Sequence, residues 1–134
     1  MANTTFTGPV RSENGFENVT KNTTTGAFTS NAAYGKTIRG GVQSLSGAGA
    51  VDLTNLVTEL TTTGADALTL ADGTTSGQIK IINMIVDGGD GTLTPATFAN
   101  GTTITFDAVG ESATLVWNST VGWVATSTVG ATIA

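Results

Sequence analysis

The densest acidic cluster of the sequence is the run Asp87-Gly88-Gly89-Asp90-Gly91. Two carboxylates three residues apart in a glycine-rich turn offer hard oxygen ligands for calcium. A calcium-binding solenoid repeats such a run at a fixed period, whereas it occurs here once and without an EF-hand ligand series, so it reads as a turn. A pair of carboxylates is also the machinery of glycoside hydrolysis, but the ten acids are scattered and no pair stands out. Lys80 is the one lysine after Arg39, and no serine motif leading into a helix accompanies it, so Ser-Lys nucleophilic chemistry has no support. The glycine-rich stretch Ser46-Gly47-Ala48-Gly49 lacks the lysine of a phosphate loop. Trp117 and Trp123 are candidates for a carbohydrate-stacking platform, but each sits in an alternating segment and reads as a core or subunit-interface residue. The chain has no histidine and no cysteine. That removes an imidazole base, a thiolate nucleophile, the usual zinc and haem ligands and any disulfide. A non-enzyme without cofactor or metal is the expectation.

The elements that carry these residues are strands. Of 134 residues, 28 are threonine and 18 glycine, one type suited to a pleated surface and the other to tight turns. From Ile38 onward short apolar runs alternate with turn signals, as in all-β proteins. Residues 50–63 hold Leu53, Leu56, Val57 and Leu60 at helical spacing, yet the threonines among them favour a strand. Gln78 to Val86 is the strongest apolar run, with Ile79, Ile81 and Ile85 on one side and Ile82, Met84 and Val86 on the other; it reads as a central strand buried on both faces. Pro95 should end the strand begun at Thr92. Asn100-Gly101 predicts a hairpin between 96–98 and 102–106. Ala113, Leu115 and Trp117 alternate, as do Val121, Trp123 and Ala125, and 129–134 adds a terminal strand. Some seven or eight short strands suit a small β-sandwich or jelly-roll-like domain, or a short solenoid. A domain of this size needs a staple; with no disulfide, oligomerisation is the expected one.

Residues 1–37 differ from the remainder, 38–134. Four of the five cations lie before Gly40, leaving a net −7 on the rest. The apolar residues of this first segment, among them Phe6, Val10, Phe16, Phe28 and Tyr34, stand singly between Asn, Thr, Gly and Ser and build no core of their own. An extended arm that orders on a partner is expected, a disordered tail being the alternative. The acidic domain disfavours nucleic acid. No membrane span is present in the hydropathy pattern, and the opening MANTTFTGPVRS has no apolar signal core. Five N-x-[S/T] sequons, at Asn3, Asn18, Asn22, Asn100 and Asn118, are the chance product of a threonine-rich sequence.

The segment FTGPVRSENGF, from Phe6 to Phe16, resembles the N-terminal arm of small structural proteins of tailed bacteriophages, especially marine and cyanobacterial ones. Leu68 to Val124, with ADGT, DGGDGTLTP, GTTITF and the closing tryptophan pair, resembles the β-rich domain of phage capsid decoration, or cement, proteins, a domain also found in head- and tail-fibre modules. The resemblance implies a homotrimer on the outer capsid surface of the virion that binds the major capsid protein and locks neighbouring subunits. Combined with the residue pattern, this makes Phe6, Pro9, Val10, Arg11, Phe16, Phe28 and Tyr34 the expected capsid-binding residues of the arm, and Ile79, Ile81, Ile85, Phe106, Trp117 and Trp123 the expected core or trimer interface. A fibre or adhesin module that binds a host glycan through the tryptophans is the second reading, and a depolymerase fragment a third.

Overall fold

The computed structural model describes residues 16–34 and 38–134. The chain divides into two compact units, Met1–Gly40 and Gly41–Ala134. In the first, β1 (Phe16–Lys21), β2 (Phe28–Tyr34) and β3 (Ile38–Arg39) form an antiparallel sheet in that order. The β1–β2 turn is built by Asn22, whose Oδ1 accepts from the main-chain N–H of Thr24 (2.8 Å) and Thr25 (2.9 Å). Gly26 at φ 74° then reverses the chain. The expected extended arm therefore contains a hairpin, in which Phe16 is opposite Tyr34 and Lys21 opposite Phe28. Phe6, Pro9, Val10 and Arg11 lie outside the described residues.

The second unit is a sandwich of two mixed five-stranded sheets. Its chain runs through β4 (Val42–Ser46), β5 (Gly49–Val51), β6 (Val57–Thr61), β7 (Asp66–Leu70), β8 (Ile79–Val86) and β9 (Gly91–Pro95), alternating between the two sheets. β4, β6 and β8 pair in parallel in one sheet, and β5, β7 and β9 in the other, so three successive turns of chain stack as rungs. The chain then doubles back antiparallel. β10 (Ile104–Phe106) pairs with β9, β11 (Ser112–Asn118) with β8, β12 (Gly122–Val129) with β11 and β13 (Thr132–Ile133) with β10. The sandwich thus has parallel rungs where a jelly roll has antiparallel Greek keys.

Stacking in register builds the core. Leu45, Leu60 and Met84 occupy one row and Leu68 and Leu93 a facing one, with Ile82, Ile104, Phe106, Leu115 and Trp123 filling the space between. Each fully buried aliphatic side chain stabilises the fold by about 1.5–3 kcal/mol. Residues 50–63 form the end of β5, a turn and β6, as strand spacing predicts.

Two expectations are corrected. β8 is buried on one face only: Lys80, Ile82 and Met84 point inward, whereas Ile79 and Ile85 are each 46% exposed. A sandwich has no third layer to cover the outer side. Val86 also leaves the core, because a bulge in the β6–β8 pairing sets Thr61 opposite Val86 directly after Leu60 opposite Met84. Asn100-Gly101 forms no tight hairpin. Residues 96–103 instead strap the edge of β12, where Trp123 N–H donates to Thr97 O and Ala99 N–H to Trp123 O, both at 2.9 Å. Asn100 Oδ1 accepts from Ala125 N–H at 2.8 Å, so its amide serves a distant strand and not a local turn.

Candidate functional site

Alternation along the strands gathers apolar residues at one end of the outer face of the β8 sheet. Val42, Val57 and Ile81 are register partners across β4, β6 and β8, and Ile79, Val116 and Val124 are partners across β8, β11 and β12. Six β-branched apolar residues thereby cross the whole width of the sheet at one end. Val42 is 50% exposed and Ile79 46%, and the other four are partly exposed. The next row, Ser44, Glu59, Asn83 and Ser112, is polar as far as β11 and ends on Val129 in β12. The outer face of the β9 sheet has a different character, with Ala67, Thr92, Thr105 and Thr132 in one row and Ala50, Thr69 and Thr94 in another. Threonine hydroxyls keep that face compatible with water, whereas a band of valine and isoleucine leaves apolar area that a partner would cover.

Beneath the apolar end lies a buried charge. Lys80 shares the inward face of β8 with Ile82 and Met84 and is 1% exposed. Its Nζ donates to the main-chain oxygen of Asn55 at 2.7 Å and stands 3.5 Å from Asp52 Oδ1. Asp52 shapes the turn between β5 and β6. Its Oδ1 accepts from the N–H of Thr54 (3.0 Å) and Asn55 (2.8 Å), and its Oδ2 accepts from Asn55 Nδ2 (2.7 Å). Gln43 ties the turn to β4 and β6, its Oε1 accepting from Asp52 N–H (3.0 Å) and Thr58 Oγ1 (2.9 Å). Gln78 Nε2 donates to Leu53 O at 2.8 Å. Among the described residues, no buried side-chain nitrogen or oxygen lacks a hydrogen-bond partner, which is the condition for tolerating polar groups at such a depth.

Burial pushes the Lys80 ammonium below its ordinary value, with Asp52 pulling it back up. Burial also pushes the Asp52 carboxyl up, but the hydrogen bonds from Asn55, the Lys80 charge and the Thr54 N–H together outweigh it and hold the group below its ordinary 3.8. A carboxyl depressed in the folded state contributes stability that is fully present above that ordinary value and is lost as pH falls through the folded value. The stability gap between the wild type and Asp52→Asn should therefore narrow as urea titrations are moved from neutral pH to below 3.8; a gap that stays constant would assign Asp52 no ionic role.

The residues assigned from sequence separate into two groups. Phe106 and Trp123 are fully buried, and Trp117 is 7% exposed. The tryptophans are register partners with ring centroids 5.4 Å apart at 60°, and Trp123 Nε1 donates to Ala71 O at 2.9 Å. Their faces are packed inside the sandwich and present no stacking platform. Ile79, Ile81 and Ile85 are on the outer face of β8. In the acidic turn, Asp87 Oδ1 accepts from Gly89 N–H at 2.9 Å, and Asp90 O accepts from Asp66 N–H at 2.8 Å. Among the described residues, no group of three or more His, Cys, Asp or Glu is placed to hold a metal ion, and no helix is long and apolar enough to cross a membrane. The Lys80 cluster is not among the residues that the sequence pattern singles out, although Lys80 has the same parity as Ile82 and Met84 and so belongs to the inward face of β8. The chain matches no protein-family model and no curated protein.

Proposed function

We propose that this chain is a non-enzymatic structural protein that works by binding: a capsid decoration protein that associates as a homotrimer and clamps neighbouring major capsid protein subunits on the outer surface of a phage head. The sequence resemblance supplies the setting. The observation that carries the binding role is the apolar end of the β8 sheet, where Val42, Val57, Ile79, Ile81, Val116 and Val124 form one band. Residues 40–134 carry a net charge of −7, so copies of the unit repel one another at long range. Association must then come from apolar burial, worth about 25 cal/mol per Å² covered. Burial of both tryptophans takes away the surface on which a glycan-binding fibre module would rely.

Sedimentation of the purified chain, and its abundance in particles, test this reading together. The wild type should sediment as a trimer, and purified virions should carry it in near-stoichiometric amounts with the major capsid protein. A Val42→Lys, Ile79→Lys variant should sediment as a monomer with nearly unchanged melting temperature, because half-exposed positions contribute within about 0.5 kcal/mol to folding. A monomeric wild type, or a variant that still trimerises, would remove the proposed interface. Only a few copies per particle would remove the decoration role.

A further inference from the structure

The cluster under the β5–β6 turn holds three groups that can form an amide by condensation: a primary amine, a carboxamide and a carboxylate able to carry protons between them. The amine of Lys80 is brought from a strand 25 residues further along the chain. It is excluded from water, 1% exposed, and its Nζ is already held by the main-chain carbonyl of Asn55, the residue that owns the carboxamide. Asp52 joins the two reacting groups. One of its oxygens lies 3.5 Å from Lys80 Nζ, and the other accepts from Asn55 Nδ2 at 2.7 Å. A single carboxylate thus touches the nucleophile on one side and the leaving nitrogen on the other. Gly41 makes room for the amide, since a Cβ on that residue would come within 3.3 Å of Asn55 Cγ and overlap its oxygen.

We propose that Lys80 and Asn55 become joined by an intramolecular isopeptide bond, with Asp52 as the proton carrier. Lys80 first passes a proton to Asp52, and its free amine attacks Asn55 Cγ. The Nζ–Cγ bond forms and the Cγ–Nδ2 bond breaks. Nζ surrenders a second proton, and both protons travel through the carboxylate to Nδ2, which departs as ammonium. Asp52 is left ionised as before, and no oxidant or cofactor takes part. Water exclusion favours the free amine as nucleophile, and conversion of the buried ammonium to a neutral amide removes the desolvation cost of that one charge. The product is a covalent tie between the β5–β6 turn and β8, which supplies a cysteine-free chain with the cross-link that small domains often need.

Intact mass spectrometry of the full-length protein, purified folded and then denatured, reads the bond directly. The expected wild-type mass is below the sequence mass by one ammonia, and proteolysis should yield a branched peptide linking the Asn55 and Lys80 segments. Lys80→Met and Asp52→Asn should each show the full sequence mass. A wild type at full mass overturns the proposal whether or not the variants fold. Ammonia loss that persists in Lys80→Met also overturns it, because it would report a succinimide at Asn55 instead.

Discussion

Trp123→Ala should cost the sandwich about 3–5 kcal/mol, a large share of the roughly 5–15 kcal/mol that holds a domain of this kind together. Three effects add at this position. The indole is fully buried, and its removal opens a cavity against Trp117, whose ring lies 5.4 Å away. The Ala71 carbonyl also loses its Nε1 donor at 2.9 Å, a hydrogen bond worth about 0.5–1.5 kcal/mol net. The strap of residues 96–103 is hydrogen-bonded to the main chain of Trp123 on both sides, so a shift of β12 is transmitted to it. Urea unfolding followed by circular dichroism, which does not depend on tryptophan emission, gives the number. Trp123→Phe should recover most of the packing and lose mainly the hydrogen bond. A loss under about 1 kcal/mol for alanine would mean that the two sheets close over the cavity.

The second large effect is expected at Gly122, and a matched glycine isolates its cause. Gly122 and Gly110 have nearly the same φ, 91° and 92°. An alanine at either is strained by about 1–3 kcal/mol, because L residues seldom adopt this region. The surroundings differ. A Cβ at Gly110 meets nothing within 4 Å, whereas one at Gly122 would lie 2.6 Å from Thr97 O and 2.8 Å from Thr97 C, main-chain atoms of the strap. Overpacking against backbone costs a further ~1–3 kcal/mol. Gly122→Ala should therefore be clearly less stable than Gly110→Ala in parallel thermal melts. Equal losses would mean that the strap yields freely and does not clamp β12.

Both variants act on the strap, and the strap is what local sequence rules misread. Asn100-Gly101 carries the chemistry of a two-residue hairpin, but the Asn100 amide accepts a hydrogen bond from Ala125, on a strand far along the chain. Local propensity describes what a dipeptide does when nothing else competes for it. Asn22 shows the opposite failure. Its Asx turn onto Thr24 and Thr25 is wholly local, and the asparagine was read only as part of a sequon.

What the sequence determined by itself is the set of quantities that depend on near neighbours. Alternation over Ala113, Leu115 and Trp117 marked a strand and its inward face, and all three are buried. Threonine and glycine content marked an all-β chain, and the fold is a sandwich of two five-stranded sheets. Parity also set Lys80 on the same side as Ile82 and Met84. Only the tertiary structure decided which side of each strand had another layer to face, and which strands became neighbours. A period of two is the same for a strand covered on one face as for one covered on both, so Ile79 and Ile85 were assigned to a core that exists on only one side of β8. The parallel rungs are equally invisible to local patterning, since the β4–β6–β8 and β5–β7–β9 pairings join residues many positions apart. The meeting of Lys80 with Asp52 and Asn55 follows from that pairing: the β5–β6 turn reaches β8 because β6 and β8 lie side by side, and no spacing along the chain encodes the distance.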